Sequence, residues 1–151
     1  MKFRYFGIIL MSLIFLFSAS FVCAEEFDLS GFSFEVPEGY AINATSDNST
    51  TLVNKNSSNY TIFIYPDNMD AKSAKISRQS AGFSFISEEN YTNENNITIN
   101  QQNYMKNESY FSFYSFKINE TSFLIGYTFP IDDSNTGNAS NPVESILKSI
   151  K

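Results

Sequence analysis

Nine asparagines of this chain stand in Asn-x-Ser/Thr triplets, the acceptor pattern for N-linked glycans in exported proteins. They are Asn43, Asn48, Asn56, Asn59, Asn90, Asn96, Asn107, Asn119 and Asn138. Random placement of the chain's asparagines, serines and threonines would give about four such triplets. A codon bias would raise lysine as well as asparagine, yet lysine is much scarcer. The pattern predicts a glycoprotein, and the preference of asparagine for turns is the alternative explanation.

The side chains that most enzymes use near neutral pH are missing. The chain has no histidine, and its single cysteine, Cys23, lies in the hydrophobic N-terminal segment. This excludes Ser-His-Asp and Cys-His nucleophiles, imidazole acid–base chemistry, and zinc sites built from histidine or thiolates. We therefore expect no catalytic residue, no metal site and no cofactor.

Carboxylates remain as potential acids, bases and cation ligands. Glu88 and Glu89 are adjacent and would point to opposite faces of a strand, so they would not act together as a glycosidase pair does. The stretch from Asp132 to Gly137 is rich in oxygen ligands, but it lacks the spacing of a calcium loop. We interpret it as a solvated loop.

The charge balance argues against nucleic-acid binding. Residues 25–151 contain 16 acidic and 8 basic residues, whereas nucleic-acid binding requires a basic surface. An acidic surface favours solubility, cation-rich surroundings or a basic partner.

The N-terminal segment predicts export. Two basic residues precede an almost wholly apolar run from Tyr5 to Val22, and Ala24 then comes before two glutamates. These features are typical of a signal peptide, here residues 1–24, cleaved between Ala24 and Glu25. An uncleaved anchor is the main alternative, because about 18 apolar residues approach the minimum for spanning a bilayer. A lipoprotein with its lipid on Cys23 is the third interpretation. Each interpretation predicts that the rest of the chain lies outside the cytoplasm, either secreted or at the cell surface. Contact with the membrane is then expected only through an uncleaved N-terminal segment.

Residues 25–151 have the length of one domain, and strand patterns dominate them. In the run from Phe32 to Val36, apolar residues alternate with polar ones, as in a strand with one buried face. Predicted strands are Phe27–Leu29, Phe32–Val36, Thr51–Asn54, Tyr60–Tyr65, Phe83–Ser87, Ile97–Tyr104, Tyr110–Ile118 and Thr121–Phe129, and the stretch 43–50 is a predicted loop. The last two strands form the clearest hairpin, and Tyr60–Tyr65 is expected in the middle of a sheet.

Two helices are predicted among these strands. The first spans Asn68–Ala81 and ends at Gly82, a residue typical of helix C-termini. The second begins after Asn141 as the N-cap, with Pro142 at its first position. Its apolar stripe consists of Val143, Ile146, Leu147 and Ile150. Helices inserted between runs of strands predict an α+β domain, an antiparallel sheet flanked by helices.

Two segments resemble the ends of PsbP-like domains. Gly31–Tyr40, GFSFEVPEGY, resembles their opening strand and Pro-x-Gly-aromatic turn, although Tyr40 stands where tryptophan is common. The last ten residues, PVESILKSIK, resemble their closing helix. Such domains occur in secreted or lipid-anchored bacterial and archaeal proteins, so the resemblance is compatible with an archaeal source. It implies an α/β/α sandwich and supplies no catalytic residue, but its members differ too much in role to fix a function.

We therefore expect an exported, glycosylated, non-catalytic cell-envelope domain that contacts a protein or a glycan. The alternatives are a small-ligand or cation-binding module with a pocket beside the sheet and, remotely, a carboxylate-based hydrolase. An exposed aromatic patch would favour the first hypothesis, and converging carboxylate oxygens would favour the second. Two facing carboxylates in a cleft would favour the third. The aromatic run Tyr110–Phe116 suits either core packing or a partly exposed binding surface.

Overall fold

A computed structural model describes residues 25–29, 31–132 and 141–150. The predicted signal helix, the cleavage position at Ala24, and Asn138 lie outside the described residues. The elements of the described part are β1 (Glu26–Leu29), β2 (Phe32–Glu35), β3 (Tyr40–Thr45), β4 (Thr50–Asn54), β5 (Ser57–Pro66), α1 (Ala71–Ser80), β6 (Ser84–Thr92), β7 (Thr98–Lys106), β8 (Ser109–Ile118), β9 (Thr121–Pro130) and α2 (Pro142–Ser149).

Seven strands form one antiparallel sheet in the order β3-β4-β5-β9-β8-β7-β6. The last strand in the chain, β9, lies between β5 and β8 and joins the two halves of the sheet. Strands β1 and β2 form a separate two-stranded hairpin. The predicted α+β class with an antiparallel sheet is confirmed, and β5 is an interior strand as its β-branched and aromatic residues indicate.

The two faces of the sheet are covered by different elements. The face that we call the α2 face packs against α2 and the β1–β2 hairpin, through Ile62, Ile64, Ile99, Tyr114, Phe116, Phe123 and Ile125. The face that we call the α1 face carries Phe63, Tyr104, Phe111, Phe113 and Leu124. Helix α1 lies on this second face, where Arg78 stacks 4.0 Å above the ring of Phe113. Helices therefore flank both faces, as the PsbP-like resemblance implies.

Helix α1 begins three residues later than the sequence predicts. Asp70 is its N-cap, and the carboxylate accepts a hydrogen bond of 3.0 Å from the backbone N–H of Ser73. The preceding turn is held by Asp67, which accepts from the N–H of Met69 at 2.9 Å. Asn68 therefore belongs to a turn, because the two aspartates bond the local backbone in a non-helical arrangement.

The predicted loop over 43–50 is wrong in part, because Tyr40–Thr45 is the strand β3. Only Tyr40 is buried in this strand, and the pairing with β4 slips between Ile42 and Ala44. Strand β6 likewise continues to Thr92, well beyond its predicted end. Both are edge strands with a bulge, and such strands show no regular alternation because little of their surface is buried.

The structure confirms the cap and the apolar stripe that the sequence predicts for helix α2. The side chain of Asn141 accepts from the N–H of Val143 at 3.1 Å, and Pro142 occupies the first turn. Val143, Ile146 and Leu147 are fully buried against the sheet. The helix is thus held in place by its apolar stripe and its cap.

Candidate functional site

An open cleft arises because the elements on the α2 face are shorter than the strands beneath them. Strands β8 and β9 have ten residues each, which corresponds to about 33 Å of strand. Helix α2 has eight residues, or about 12 Å, and β2 has only four. Among the residues that the structure describes, none of these elements therefore covers the end of the α2 face near Tyr110 and Phe129.

The cleft at this end has a volume of about 1320 Å³. Three half-buried rings in its lining form what we call the aromatic ladder: Tyr110, Phe129 and Tyr127. The ring centroids of Tyr127 and Phe129 are 4.9 Å apart, and those of Tyr110 and Phe129 are 5.4 Å apart, with the planes within 28° of parallel. Partly exposed aromatic rings provide apolar contact area for a sugar or for a peptide side chain. Of the predicted aromatic run, Phe113, Tyr114 and Phe116 belong to the core. Phe111 packs on the α1 face, whereas Tyr110 lines the cleft.

A row of amides lies beside the aromatic ladder. The Nε2 atom of Gln101 donates to the Oδ1 atom of Asn103 at 3.1 Å, and Asn103 donates to the hydroxyl of Ser87 at 3.0 Å. Both amides come from β7 and line the cleft. Convergent polar groups next to aromatic rings are typical of ligand sites. We did not predict these two residues, although their period-2 spacing from the buried Ile99 places them on the same face.

Glutamates border the cleft and give it a negative charge. Four carboxylates line it against one basic residue, Lys148; they are Glu35, Glu38, Glu89 and Glu144. Glu88 points to the other face, where it pairs with Lys75 at 3.4 Å. The prediction that the adjacent Glu88 and Glu89 point to opposite faces is confirmed. Hydrogen bonds from Asn100 and then Gln102 hold the pKa of Glu88 below its ordinary value, which makes it a poor proton donor near neutral pH.

Helix α2 forms one wall of the cleft and is fastened to the sheet by tyrosines. The Nδ2 atom of Asn141 donates to the hydroxyl of Tyr114 at 2.7 Å, and burial raises the pKa of Tyr114 to about 12. The hydroxyl of Tyr91 donates to Glu144 at 2.9 Å, and burial followed by this carboxylate raises the pKa of Tyr91. Asn93 donates to the backbone carbonyl of Leu147 at 2.8 Å. This wall is therefore held by hydrogen bonds along its length.

Within the described ranges, no group of three or more cysteine, aspartate or glutamate side chains could hold a metal ion. Most of the oxygen-rich stretch from Asp132 to Gly137 lies outside these ranges. Neither α1 nor α2 is long and apolar enough to cross a membrane.

All eight sequon asparagines that the structure describes are exposed: Asn43, Asn48, Asn56, Asn59, Asn90, Asn96, Asn107 and Asn119. Of the seven other described asparagines, only Asn68 and Asn95 are exposed. The remaining five take part in hydrogen bonds within the fold: Asn54, Asn93, Asn100, Asn103 and Asn141. Exposure thus separates the described sequon asparagines from most of the others, although Asn90 accepts a hydrogen bond from Asn100 and the exposed Asn95 donates to the carbonyl of Lys148.

The sequons follow the topology of the seven-stranded sheet. Each of its five hairpin turns contains one sequon asparagine: Asn48, Asn56, Asn96, Asn107 and Asn119. Three of these, at φ angles of 59°, 48° and 48°, have the left-handed backbone that asparagine tolerates in such turns. Each edge strand also carries one sequon, with Asn43 on β3 and Asn90 on β6. Asn43 and Asn90, like Asn59 on the interior strand β5, lie outside the turns, so turn chemistry does not account for them.

No protein-family model and no curated protein matches the chain. Among solved structures, the solution structure of cyanobacterial PsbP (CyanoP) from Synechocystis sp. PCC 6803 matches with a TM-score of 0.57 and 10% identity, and the match covers 89% of this chain and 95% of that chain. The chain has a PsbP-like fold. A crystal structure from Bacteroides thetaiotaomicron VPI-5482 matches with a TM-score of 0.46 and 12% identity over 85% of this chain and 48% of that one, which is too low to support a conclusion. At these identities the likeness is one of fold, and the PsbP-like resemblance predicted from the two terminal segments is confirmed at that level.

Proposed function

We propose that this protein is an exported, non-catalytic domain of the cell envelope that binds a protein or glycan partner in the cleft. The observation that carries the proposal is the aromatic ladder, Tyr110, Phe129 and Tyr127, lying beside the amides of Gln101 and Asn103 in an open cleft. Flat rings contribute contact area at low entropic cost, and amides supply hydrogen bonds to sugar hydroxyls or peptide groups.

The chemistry of the cleft supports binding rather than catalysis. Residues 25–151 contain no histidine or cysteine, and burial raises the pKa of Tyr114 and Tyr91, the tyrosines bonded to α2, away from neutral pH. A general base is most effective when its pKa lies near the working pH. The hydrophobic segment that ends at Ala24 supports export, and the PsbP-like fold is compatible with an accessory role.

Site-specific photo-crosslinking on intact cells tests the proposal. A photoreactive phenylalanine analogue at Phe129 is expected to capture a specific partner, and the same analogue at the exposed Ile76 of α1 serves as the control. Replacing Tyr110 and Tyr127 by alanine in the Phe129 variant is expected to abolish the product. Identical products from both positions, or a product that survives the alanine replacements, would contradict the proposal. N-terminal sequencing of the native protein, expected to begin at Glu25, tests export separately.

A small cationic ligand is the second candidate occupant of the cleft. The four glutamates against one lysine in the lining favour this alternative, because a carboxylate-lined site attracts cations electrostatically. Titration of the protein with spermidine, followed by NMR, is expected to shift resonances of Glu38 and Glu89 before those of Glu120, which lies in the β8–β9 turn at the other end of the sheet. Uniform shifts over the whole acidic surface would contradict this alternative.

We also propose that the exposed sequons carry N-linked glycans. The exposure of all eight described sequon asparagines supports the proposal, since a glycan requires an accessible amide. The intact mass of the native protein tests it, and a mass equal to that of the unmodified chain would contradict it.

A further inference from the structure

We propose that N-linked glycans on Asn43 and Asn90 cover the two open edges of the seven-stranded sheet and prevent a second copy of this chain from pairing with them. This inference rests on the proposed glycosylation and is independent of the proposed ligand of the cleft. It assigns a function to two sequons that turn geometry does not explain.

Both edges lack a further strand in the part of the chain that the structure describes. Within it, strands β3 and β6 each have a hydrogen-bonded neighbour on one side only, and they are six and nine residues long. An unpaired edge presents a row of backbone N–H and C=O groups that another strand can extend. The two ends of the strand order are therefore the places where this sheet would associate.

Each edge asparagine is placed to carry a large group. Asn43 is the extra residue of the bulge between Ile42 and Ala44, near the middle of β3, and it is exposed. Asn90 is also exposed, and its Oδ1 atom accepts a 3.0 Å hydrogen bond from Asn100. That bond engages the Oδ1 atom of Asn90 and not the Nδ2 atom, to which a glycan is attached. A glycan at either position would occupy the space that an added strand needs.

The modification requires a phosphate-activated oligosaccharide as the sugar donor. The Nδ2 atom forms a bond to the anomeric carbon, and the bond from that carbon to its phosphate oxygen breaks, with the electron pair leaving on the phosphate. The amide loses one proton, and no oxidation or reduction takes place. The sequon supplies the acceptor, with Thr45 and Thr92 as the hydroxyl residues of the two triplets.

The two edges differ in how much they depend on a glycan. Strand β6 contains Glu88 and Glu89, and charged residues on an edge discourage pairing. Strand β3, YAINAT, has no charged residue. Loss of the glycan at Asn43 is therefore expected to have the larger effect.

Glycopeptide mapping of the native protein is the first arm of the test. Occupancy at Asn43 and Asn90 is expected. If both are unoccupied while the turn sequons carry glycans, the edge proposal is overturned and the glycoprotein proposal stands. If no sequon is occupied, both fail, and the cleft remains testable by crosslinking.

Self-association of glycosylated variants is the second arm. Light scattering after size exclusion gives the number of protomers per particle. N43Q/N90Q is expected to contain at least twice as many protomers as the parent, and N43Q alone is expected to associate more than N90Q alone. The matched control N48Q/N59Q also loses two glycans, but from a turn and an interior strand, and is expected to keep the number of protomers of the parent. T45A/T92A, which retains both asparagines, is expected to behave like N43Q/N90Q, and T45S/T92S like the parent. An N43Q/N90Q variant that keeps the number of protomers of the parent, or a control that associates equally, would overturn the proposal.

Discussion

Alkaline pH is expected to weaken the attachment of α2, the helix that forms one wall of the cleft. Tyr114 is only 1% exposed and accepts the 2.7 Å hydrogen bond from Asn141, and burial raises its pKa to about 12. In the unfolded chain a tyrosine loses its proton near pH 10. Between about pH 10 and 12 the folded state thus holds a proton that the unfolded state has released. The stability contributed by Tyr114 is complete below pH 10 and is lost as the pH rises towards 12.

The size of this loss follows from the shift in pKa. One unit corresponds to about 1.4 kcal/mol, so a rise of about two units represents on the order of 3 kcal/mol by pH 12 and about half of that at pH 11. The substitution Tyr114→Phe keeps the ring packing and removes the titrating hydroxyl. It is expected to cost about 1 kcal/mol at pH 7, because the amide of Asn141 loses its partner.

Urea denaturation followed by far-UV circular dichroism at pH 8, 10.5 and 11.5 measures the effect. The parent is expected to lose stability over this range more steeply than Tyr114→Phe, which retains a shallower slope because burial also raises the pKa values of Tyr91, Tyr104 and Tyr65. Tyr110→Phe removes a hydroxyl from the open cleft and is expected to follow the parent. Parallel loss in the parent and in Tyr114→Phe would refute the reasoning.

Three further outcomes are expected. Gly126→Ala places a Cβ atom against the ring of Phe63 and should cost about 1–3 kcal/mol by overpacking. In a Phe63→Ala background, urea denaturation should show no such penalty, and an equal penalty there would contradict the contact. Asn141→Ala removes the N-cap of α2 and its hydrogen bond to Tyr114, which should lower the free energy of unfolding by about 1–2 kcal/mol. An unchanged urea midpoint would contradict the role of Asn141 in stabilising α2. Tyr110→Ala should weaken binding of the partner captured by crosslinking by about 1–2 kcal/mol, or roughly 5- to 30-fold in Kd. Ile76→Ala should leave the Kd unchanged. Titration calorimetry measures the Kd of both variants.

The elements that can be predicted from the sequence are those whose local signals agree with their burial. The observed strands of the β8–β9 hairpin begin and end within one residue of the predicted positions. The prediction succeeds because both strands are interior and because the turn, Asn119-Glu120, has the positive φ angles of a tight hairpin. Helix α2 is predicted correctly because its N-cap, Asn141, the proline that follows it and its apolar stripe all indicate the same boundaries. Strand β3 is missed because an edge strand with a bulge at Asn43 buries too little surface to impose alternation.

The cleft is harder to predict because its residues come together only through the register of the sheet. Gln101 lies opposite both Glu89 and Tyr114, and Asn103 lies opposite both Ser87 and Ser112. The pairing partners follow from the β6–β7 and β7–β8 hairpins, but their register cannot be obtained from the spacing alone, because the pairing shifts between Phe85 and Ser87. The periodicity of β7 places Gln101 and Asn103 on the face of Ile99, but it does not reveal how far α2 and the β1–β2 hairpin extend over that face.

The same geometry explains how a fold can be shared at 10% identity. Where α2 and the β1–β2 hairpin cover the sheet, side chains such as Ile64 and Phe116 must fill a closed space, so any apolar residue of suitable size preserves the packing. Around the cleft, Tyr110, Phe129 and Gln101 are only partly buried. Substituting them is therefore expected to cost less core packing than substituting Ile64 or Phe116. What the cleft binds must therefore be inferred from these side chains, because a shared fold does not specify a ligand.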